Sequence, residues 1–250
     1  MSNTATVLAF DFGASSGRAI RAVYDGQNLN YEEIHSFENI PIEKDGHLCW
    51  DVETLLKEIH TAIQKAGTFD SLGFDTWGVD FGLLDADGHL LANPVHYRDA
   101  RTNGKPEQAA ACMPAEELYA HTGNQIMAIN TLFQLLALQE QESELLQKAE
   151  QILFMPALLG AEPVCERSIA STSQMLDPRT GQWSREVLTA YGLKENHFAP
   201  LVASGTVTGT LTTGAKIIAV AGHDTQCASA AMPCAEEDVE HTAFLSCGTW

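Results

Sequence analysis

Gly222-His223-Asp224-Thr225 stands where a run of β-branched and small residues, Lys216-Ile217-Ile218-Ala219-Val220-Ala221, gives way to the small residues Gln226 to Ala231. The first run reads as a buried strand and the second as a helix. A carboxylate at such a junction lies at a sheet edge where ligands collect, near helical N–H groups. Asp224 can accept a proton from an attacking hydroxyl as a general base. Thr225 can hydrogen-bond the same substrate, and His223 can orient it. The alternative is that Asp224 is the helix N-cap, a frequent role for Asp.

A second group of chemically useful residues follows the first apolar run, Val7-Leu8-Ala9-Phe10. Asp11-Phe12-Gly13-Ala14-Ser15-Ser16-Gly17-Arg18 is a turn of small and polar residues at the end of a strand. Gly13 and Gly17 allow backbone N–H groups to approach an anion closely. Ser15 and Ser16 add hydroxyl donors, and Arg18 adds a charged fork. Asp11 cannot face a bare phosphate without an intervening Mg²⁺ or its water shell. The spacing G-x-x-x-x-G-K-S/T is absent, so this is not a Walker loop. A tight turn with a surface Arg is the competing reading.

A third segment is aromatic and acidic. Asp75-Thr76-Trp77-Gly78-Val79-Asp80-Phe81 joins two strand-like runs. Trp77 offers a flat apolar face, Gly78 exposes backbone, and Asp80 can accept hydroxyl bonds, which are the ingredients of a polyol site. A β-bulge with a core Trp would carry the same residues. In Tyr97-Arg98-Asp99-Ala100-Arg101-Thr102-Asn103, Arg98 and Asp99 read as a structural ion pair. The nine His show no H-E-x-x-H or comparable spacing, which argues against a His-built metal site.

Simple elements must position these residues. Ala19 to Tyr24 resumes a strand after the first turn, Asp25-Gly26 is a hairpin signal, and Leu29 to Ser36 is a third extended stretch. Three strands in succession predict an antiparallel meander. Asp51 predicts the cap of a helix whose face is Val52, Leu55, Leu56, Ile59, Ile63 and Ala66, with Gly67 as its stop. Leu72 to Asp75 and Val79 to Leu84 read as strands, and Glu107 to Lys148 as mostly helical, with Asn130 capping one piece. Thr206 to Thr213 reads as a connection. Phe244 to Trp250 reads as a strand running into a turn.

Composition narrows the partners. The 250 residues carry 33 Asp plus Glu against 14 Lys plus Arg, a net charge of −19. That surface repels nucleic acid, whereas ATP can be met locally by N–H groups, an Arg and a cation. No apolar run approaches a membrane span, and the amino terminus lacks the pattern of a signal peptide. Six scattered Cys without a C-x-x-C pair predict reduced thiols in a cytoplasmic protein.

In their order along the chain, the strings Asp11 to Arg18, Cys49-Trp50-Asp51-Val52, Asp75 to Phe81, Tyr97 to Asn103, Gly222 to Thr225 and Ser246-Cys247-Gly248-Thr249-Trp250 resemble the amino-terminal half of a carbohydrate kinase of the FGGY family. Within it, the members that act on L-rhamnulose are most similar. The strings D-T-W-G-V-D-F and Y-R-D-x-R-T-N are the most specific. The resemblance runs from about residue 6 to the last residue and thins between 104 and 215.

This resemblance implies an α/β fold of the ribonuclease-H-like, actin-like ATPase type, a mixed sheet flanked by helices. It implies transfer of the γ-phosphoryl group of ATP to the 1-hydroxyl of a ketose, with Mg²⁺, in rhamnose catabolism. By position, Ala14, Ser15, Ser16, Gly17 and Arg18 would form the ATP-phosphate loop. Gly78, His223, Asp224 and Thr225 would contact the sugar, Asp224 would be the proton acceptor, and Asp11 would hold hydrated Mg²⁺. Residues 1–243 would be the amino-terminal lobe, and 244–250 the start of a second, absent lobe that holds the adenine pocket. Phe154 to Gly160 also runs into Ala161-Glu162-Pro163 sooner than the family pattern does. A sugar-binding relative without catalysis is the alternative function; Asp11, Arg18 and Asp224 favour the enzyme.

Overall fold

The computed structural model describes residues 4–160 and 163–246. Strands β1 (Ala5–Phe12), β2 (Ser16–Tyr24) and β3 (Leu29–Glu38) form the expected antiparallel meander. Leu8, Phe10 and Phe12 alternate along β1 and are all buried, as a period of two requires of one sheet face. A hairpin of β4 (Ile42–Lys44) and β5 (His47–Cys49) leads to α1 (Val52–Ala66). Asp51 caps α1, its Oδ1 accepting the Thr54 N–H at 3.2 Å. A cap of this kind contributes about 1 kcal/mol. The buried face is Val52, Leu55, Ile59, Ala62 and Ala66, whereas Leu56 of the expected face is exposed and Ile63 half-buried. Leu55, Ile59, Ala62 and Ala66 share one apolar cluster with Leu8, Phe10, Phe12 and Phe74.

β6 (Ser71–Thr76) returns parallel to β1. A long insertion follows: β7 (Phe81–Leu84), α2 (Lys105–Ala109), α3 (Ala115–Thr122), α4 (Thr131–Gln141), α5 (Ser143–Lys148), β8 (Gln151–Phe154), α6 (Met155–Leu159), β9 (Cys165–Glu166), α7 (Arg167–Ser171), β10 (Leu176–Asp177), β11 (Gln182–Trp183), α8 (Arg185–Ala190) and β12 (Leu201–Val202). It has a core of its own, built on Leu132, Phe133, Leu135, Ile152, Phe154 and Trp183. The chain then rejoins the first sheet through β13 (Thr206–Thr210) and β14 (Lys216–Ala219), and α9 (Asp224–Ala230) follows.

Among the described residues, the main sheet has six strands in the order β13-β14-β6-β1-β2-β3. β1, β6 and β14 run parallel, and the other strands are antiparallel to their neighbours. The result is the expected α/β class, a mixed sheet with helices. No helix among the described residues is long and apolar enough to cross a membrane.

Four local expectations change. The second apolar strand begins at Phe81, because Val79 adopts φ +69, a conformation no strand can contain. Thr206 to Thr210 is an edge strand rather than a connection, since Thr is β-branched and fits a pleated surface. The helical stretch 107–148 is four separate helices, one closed by Gly123 at φ +65. Residues 244–246 form no strand, and no described strand pairs with them. The residues 247–250 of that turn, and Ala161-Glu162 at the shortened junction, lie outside the described residues. The five described cysteines, Cys49, Cys112, Cys165, Cys227 and Cys234, are free thiols.

Candidate active site

Three parallel strands end at the same edge, and three carboxylates gather there. Asp11 stands opposite Asp75 in the β1–β6 register. Beyond β14, the Thr76 N–H donates to the Gly222 carbonyl at 3.0 Å, which draws the chain before Asp224 against the end of β6. Burial, with the charges of Asp11 and Asp224 nearby, pushes the Asp75 carboxyl up to about 7. The thiol of Cys227 donates to the Ala221 carbonyl at 2.9 Å and is pushed up to about 12, chiefly by burial, with the Asp75 charge nearby. The carboxyl ends of parallel strands are where α/β folds place ligands.

The segment expected to hold phosphate is the β1–β2 hairpin. Gly13 N–H donates to the Ser16 carbonyl at 2.8 Å and closes the turn. Asn39, buried after β3, clasps it twice: its N–H donates to the Ser15 carbonyl at 3.0 Å and its amide to the Gly13 carbonyl at 2.9 Å. Nothing in the local sequence marks Asn39, which lies 26 residues from Gly13. Ala14 and Ser15 line the cleft described below, while Ser16 and Arg18 are exposed on β2. Arg18 stands directly across from Asp11, and both its Nε and one terminal nitrogen donate to Asp11 Oδ2 at 2.8 Å. Gly17 has a packing reason: a Cβ there would lie 2.2 Å from the Phe37 ring. Close anion approach is therefore not what its small size serves at that residue.

The helix cap falls one residue before Asp224. His223 is the N-cap residue of α9 (φ −98, ψ 127), and Asp224 is the first helical residue. The N-cap alternative for Asp224 is thereby removed. Its Oδ1 accepts the Thr225 N–H at 2.5 Å and the Thr225 hydroxyl at 3.1 Å. His223 Nε2 lies 3.5 Å from that same oxygen. Burial holds the imidazole below its ordinary range, against the pull of Asp224. Gly78 packs on this histidine, and a Cβ at Gly78 would meet His223 Cδ2 at 3.0 Å and Thr172 Cγ2 at 3.0 Å. Gly78, His223, Asp224 and Thr225 are thus brought together, and with Ala14, Ser15, Trp77 and Tyr97 they line a cleft of about 540 Å³. Thr172, Met127 and Ile129 from the insertion form its far wall.

Asp80 does not reach this cleft. It is 1% exposed, and its oxygens are filled by protein donors. Oδ2 accepts Trp50 Nε1 at 2.6 Å, Trp77 Nε1 at 3.0 Å and the Tyr97 N–H at 3.2 Å, and Oδ1 accepts Gln134 Nε2 at 2.8 Å. The hydroxyl-binding role expected of it is corrected accordingly: Asp80 anchors the two indoles, whose ring centroids are 3.9 Å apart. Burial pushes its carboxyl up to about 6 despite those donors. Val79 makes the inward turn possible, and its strained φ is held by Thr172 Oγ1, which accepts the Val79 N–H at 3.0 Å, and by Thr131 Oγ1, which donates to the Val79 carbonyl at 2.6 Å. Trp77 is a core residue with an edge on the cleft. Asp99 caps the turn at 100–102 through the Arg101 N–H, and also accepts the Leu48 N–H and pairs with His47.

The profile of the FGGY family of carbohydrate kinases, N-terminal domain, matches residues 6–230. A rhamnulokinase of Bacteroides thetaiotaomicron is 40% identical over 260 residues, covering 97% of this chain and 53% of that protein. A rhamnulokinase of Enterococcus faecalis is 39% identical over 264 residues, covering 98% and 52%. The chain spans about half the length of the curated relatives it matches. Among solved structures, a xylulose kinase of Lactobacillus acidophilus superposes with TM-score 0.78 at 16% identity, covering 90% of this chain and 49% of that one. A gluconate kinase from the same organism gives 0.76 at 16%, covering 89% and 48%. These two likenesses establish a shared fold.

Proposed function

Because the chain belongs to the FGGY family of carbohydrate kinases, we propose that residues 1–243 are the amino-terminal lobe of an ATP-dependent ketose kinase, with 244–250 opening a second lobe. The substrate we assign is L-rhamnulose, phosphorylated at its 1-hydroxyl by the γ-phosphoryl group of ATP. The observation that carries the reading is the cleft itself. The Asp224 carboxylate opens into it between the Gly13–Ser16 hairpin and the Gly78–His223 contact.

Phosphoryl transfer needs positioning, charge neutralisation and an oriented hydroxyl rather than covalent chemistry from the protein. Asp224 accepts the proton of the ketose hydroxyl as that oxygen forms its bond to the γ-phosphorus and the bond from phosphorus to the ADP oxygen breaks. Thr225 and His223 hold Asp224 and the sugar in register, and the Gly78 backbone forms the floor. Ala14, Ser15 and Ser16 offer the hairpin's N–H and hydroxyl groups to phosphate oxygens, with Arg18 beside them. Asp11, Asp75 and Asp224 supply carboxylates at that edge, and burial first, then the charges of Asp11 and Asp224, raises the Asp75 carboxyl. Asp11 would anchor Mg²⁺ through its water shell. The ion supplies neutralisation of phosphate charge when bound.

A coupled assay of ADP release by the full-length protein tests this reading across L-rhamnulose, L-fuculose, L-ribulose, D-xylulose and glycerol. L-Rhamnulose should give the highest kcat/KM. A large preference for another sugar overturns the substrate assignment, and sugar binding without turnover overturns the kinase reading.

A further inference from the structure

Glu166 is a buried carboxylate, 5% exposed, in a part of the chain that no motif marks. It caps α7, where Oε2 accepts the Ser168 N–H at 2.8 Å, the Ser168 hydroxyl at 2.6 Å and the Ile169 N–H at 3.3 Å. Two further bonds reach elsewhere. Oε1 accepts the Ser204 hydroxyl at 2.7 Å, just before β13. Oε2 also accepts the Gly222 N–H at 3.0 Å, 56 residues away.

The Gly222 backbone is therefore held at both its N–H and its carbonyl. Its N–H is held by Glu166 and its carbonyl by the Thr76 N–H at 3.0 Å. The α-carbon has no room to shift toward the insertion, because a Cβ there would meet Ile169 Cβ and Pro156 Cγ at 3.2 Å. His223 follows immediately, then Asp224. α9 itself has no buried residue, so its own packing contributes little to fixing where it starts. The grip at Gly222 fixes the backbone two residues before Asp224.

We infer that Glu166 is a positioning residue for Asp224: by holding the Gly222 N–H it sets where α9 begins and where the proton-accepting carboxylate stands. The inference rests on the proposed kinase reading, and it adds a determinant of turnover that does not touch the substrate. A misplacement of about 1 Å in such a group can cost up to 10²-fold in rate.

Reach separates this role from simple helix capping. Glu166→Asp keeps a favoured cap for Ser168 and Ile169 but withdraws the carboxylate by one methylene, roughly 1.5 Å, from Gly222. Glu166→Gln keeps the reach and an acceptor oxygen. In the full-length protein, Glu166→Asp should lower kcat on the best ketose about 10- to 100-fold while the KM for ATP stays within about twofold. The Gly222 amide should exchange with deuterium faster in that variant. Glu166→Gln should keep kcat within about threefold of wild type and leave Gly222 protected. The inference is overturned if Glu166→Asp keeps wild-type turnover, if the two variants lose kcat equally, or if Gly222 protection is the same in Glu166→Asp and wild type. Should the wild-type protein turn over none of the ketoses, the kinase reading falls on that ground alone, and the exchange comparison still decides whether Glu166 holds the loop.

Discussion

His223 packs against the α-carbon of Gly78 so closely that a β-carbon there would stand 3.0 Å from its Cδ2 and 3.1 Å from its Nε2. The glycine of the aromatic segment and the histidine of the helix start, 145 positions later in the chain, form one wall of the cleft. Gly78→Ala has no left-handed φ to strain, since Gly78 is not among the glycines of positive φ. Its cost falls on the histidine and on Thr172. Expected is a loss of about tenfold or more in kcat/KM for the ketose, with an unchanged KM for ATP and a small shift in Tm. Steady-state kinetics with each substrate varied in turn checks this. An alanine variant with normal ketose kinetics would remove Gly78 from the sugar wall.

Asp224→Asn tests the base directly. Asparagine retains an oxygen for the Thr225 N–H and hydroxyl, and Asp224 is not the N-cap, so thermal stability should barely move. Proton acceptance is lost, and general-base loss costs about 10²–10⁴-fold. The expected result is a fall in kcat of at least ~100-fold with a nearly unchanged ketose Kd. Near-normal turnover in a folded Asn variant would show that another group takes the proton.

Gly17→Ala distinguishes packing from phosphate approach. The added methyl meets the Phe37 ring at 2.2 Å, an overpacking that typically costs about 1–3 kcal/mol. Expected is a clear drop in Tm, recovered in part by Gly17→Ala combined with Phe37→Leu. Loss of ATP affinity at unchanged Tm would instead assign Gly17 to the nucleotide.

His96 predicts acid sensitivity. It is 3% exposed, stacked on Trp50 at 4.1 Å, and its Nδ1 accepts the Arg98 N–H at 2.9 Å. Burial, helped by the Arg98 charge, brings it from 6.5 down to about 4. The unfolded chain takes up this proton below 6.5, whereas the folded state resists until about 4. Stability held above 6.5 is therefore lost as pH falls through that window. Between pH 7 and pH 5 the loss through this group is about 2 kcal/mol. Urea denaturation at the two pH values should show a steeper loss in wild type than in His96→Gln, and equal slopes would refute the assignment.

The sequence by itself determined the elements whose signals lie within a few residues. The alternation Leu8, Phe10, Phe12, the Asp51 cap and the helical stripe after it, and the strand-to-helix junction at Gly222–Asp224 are all written locally, and each stands in the structure. The order of short motifs carried the family, and Asp11 to Arg18, Asp75 to Phe81 and Gly222 to Thr225 each lie at or just beyond the end of a strand. Tertiary structure alone decided which groups meet. Asp80 shares its segment with Trp77 and Gly78, yet a left-handed Val79 turns it beneath the indoles and away from the cleft. Gly17 answers to Phe37 across β3, the hairpin answers to Asn39, and Gly222 answers to Glu166, 56 residues distant. Propensity and periodicity act between neighbours along the chain, whereas register and packing bring together residues whose separation in sequence leaves no local trace.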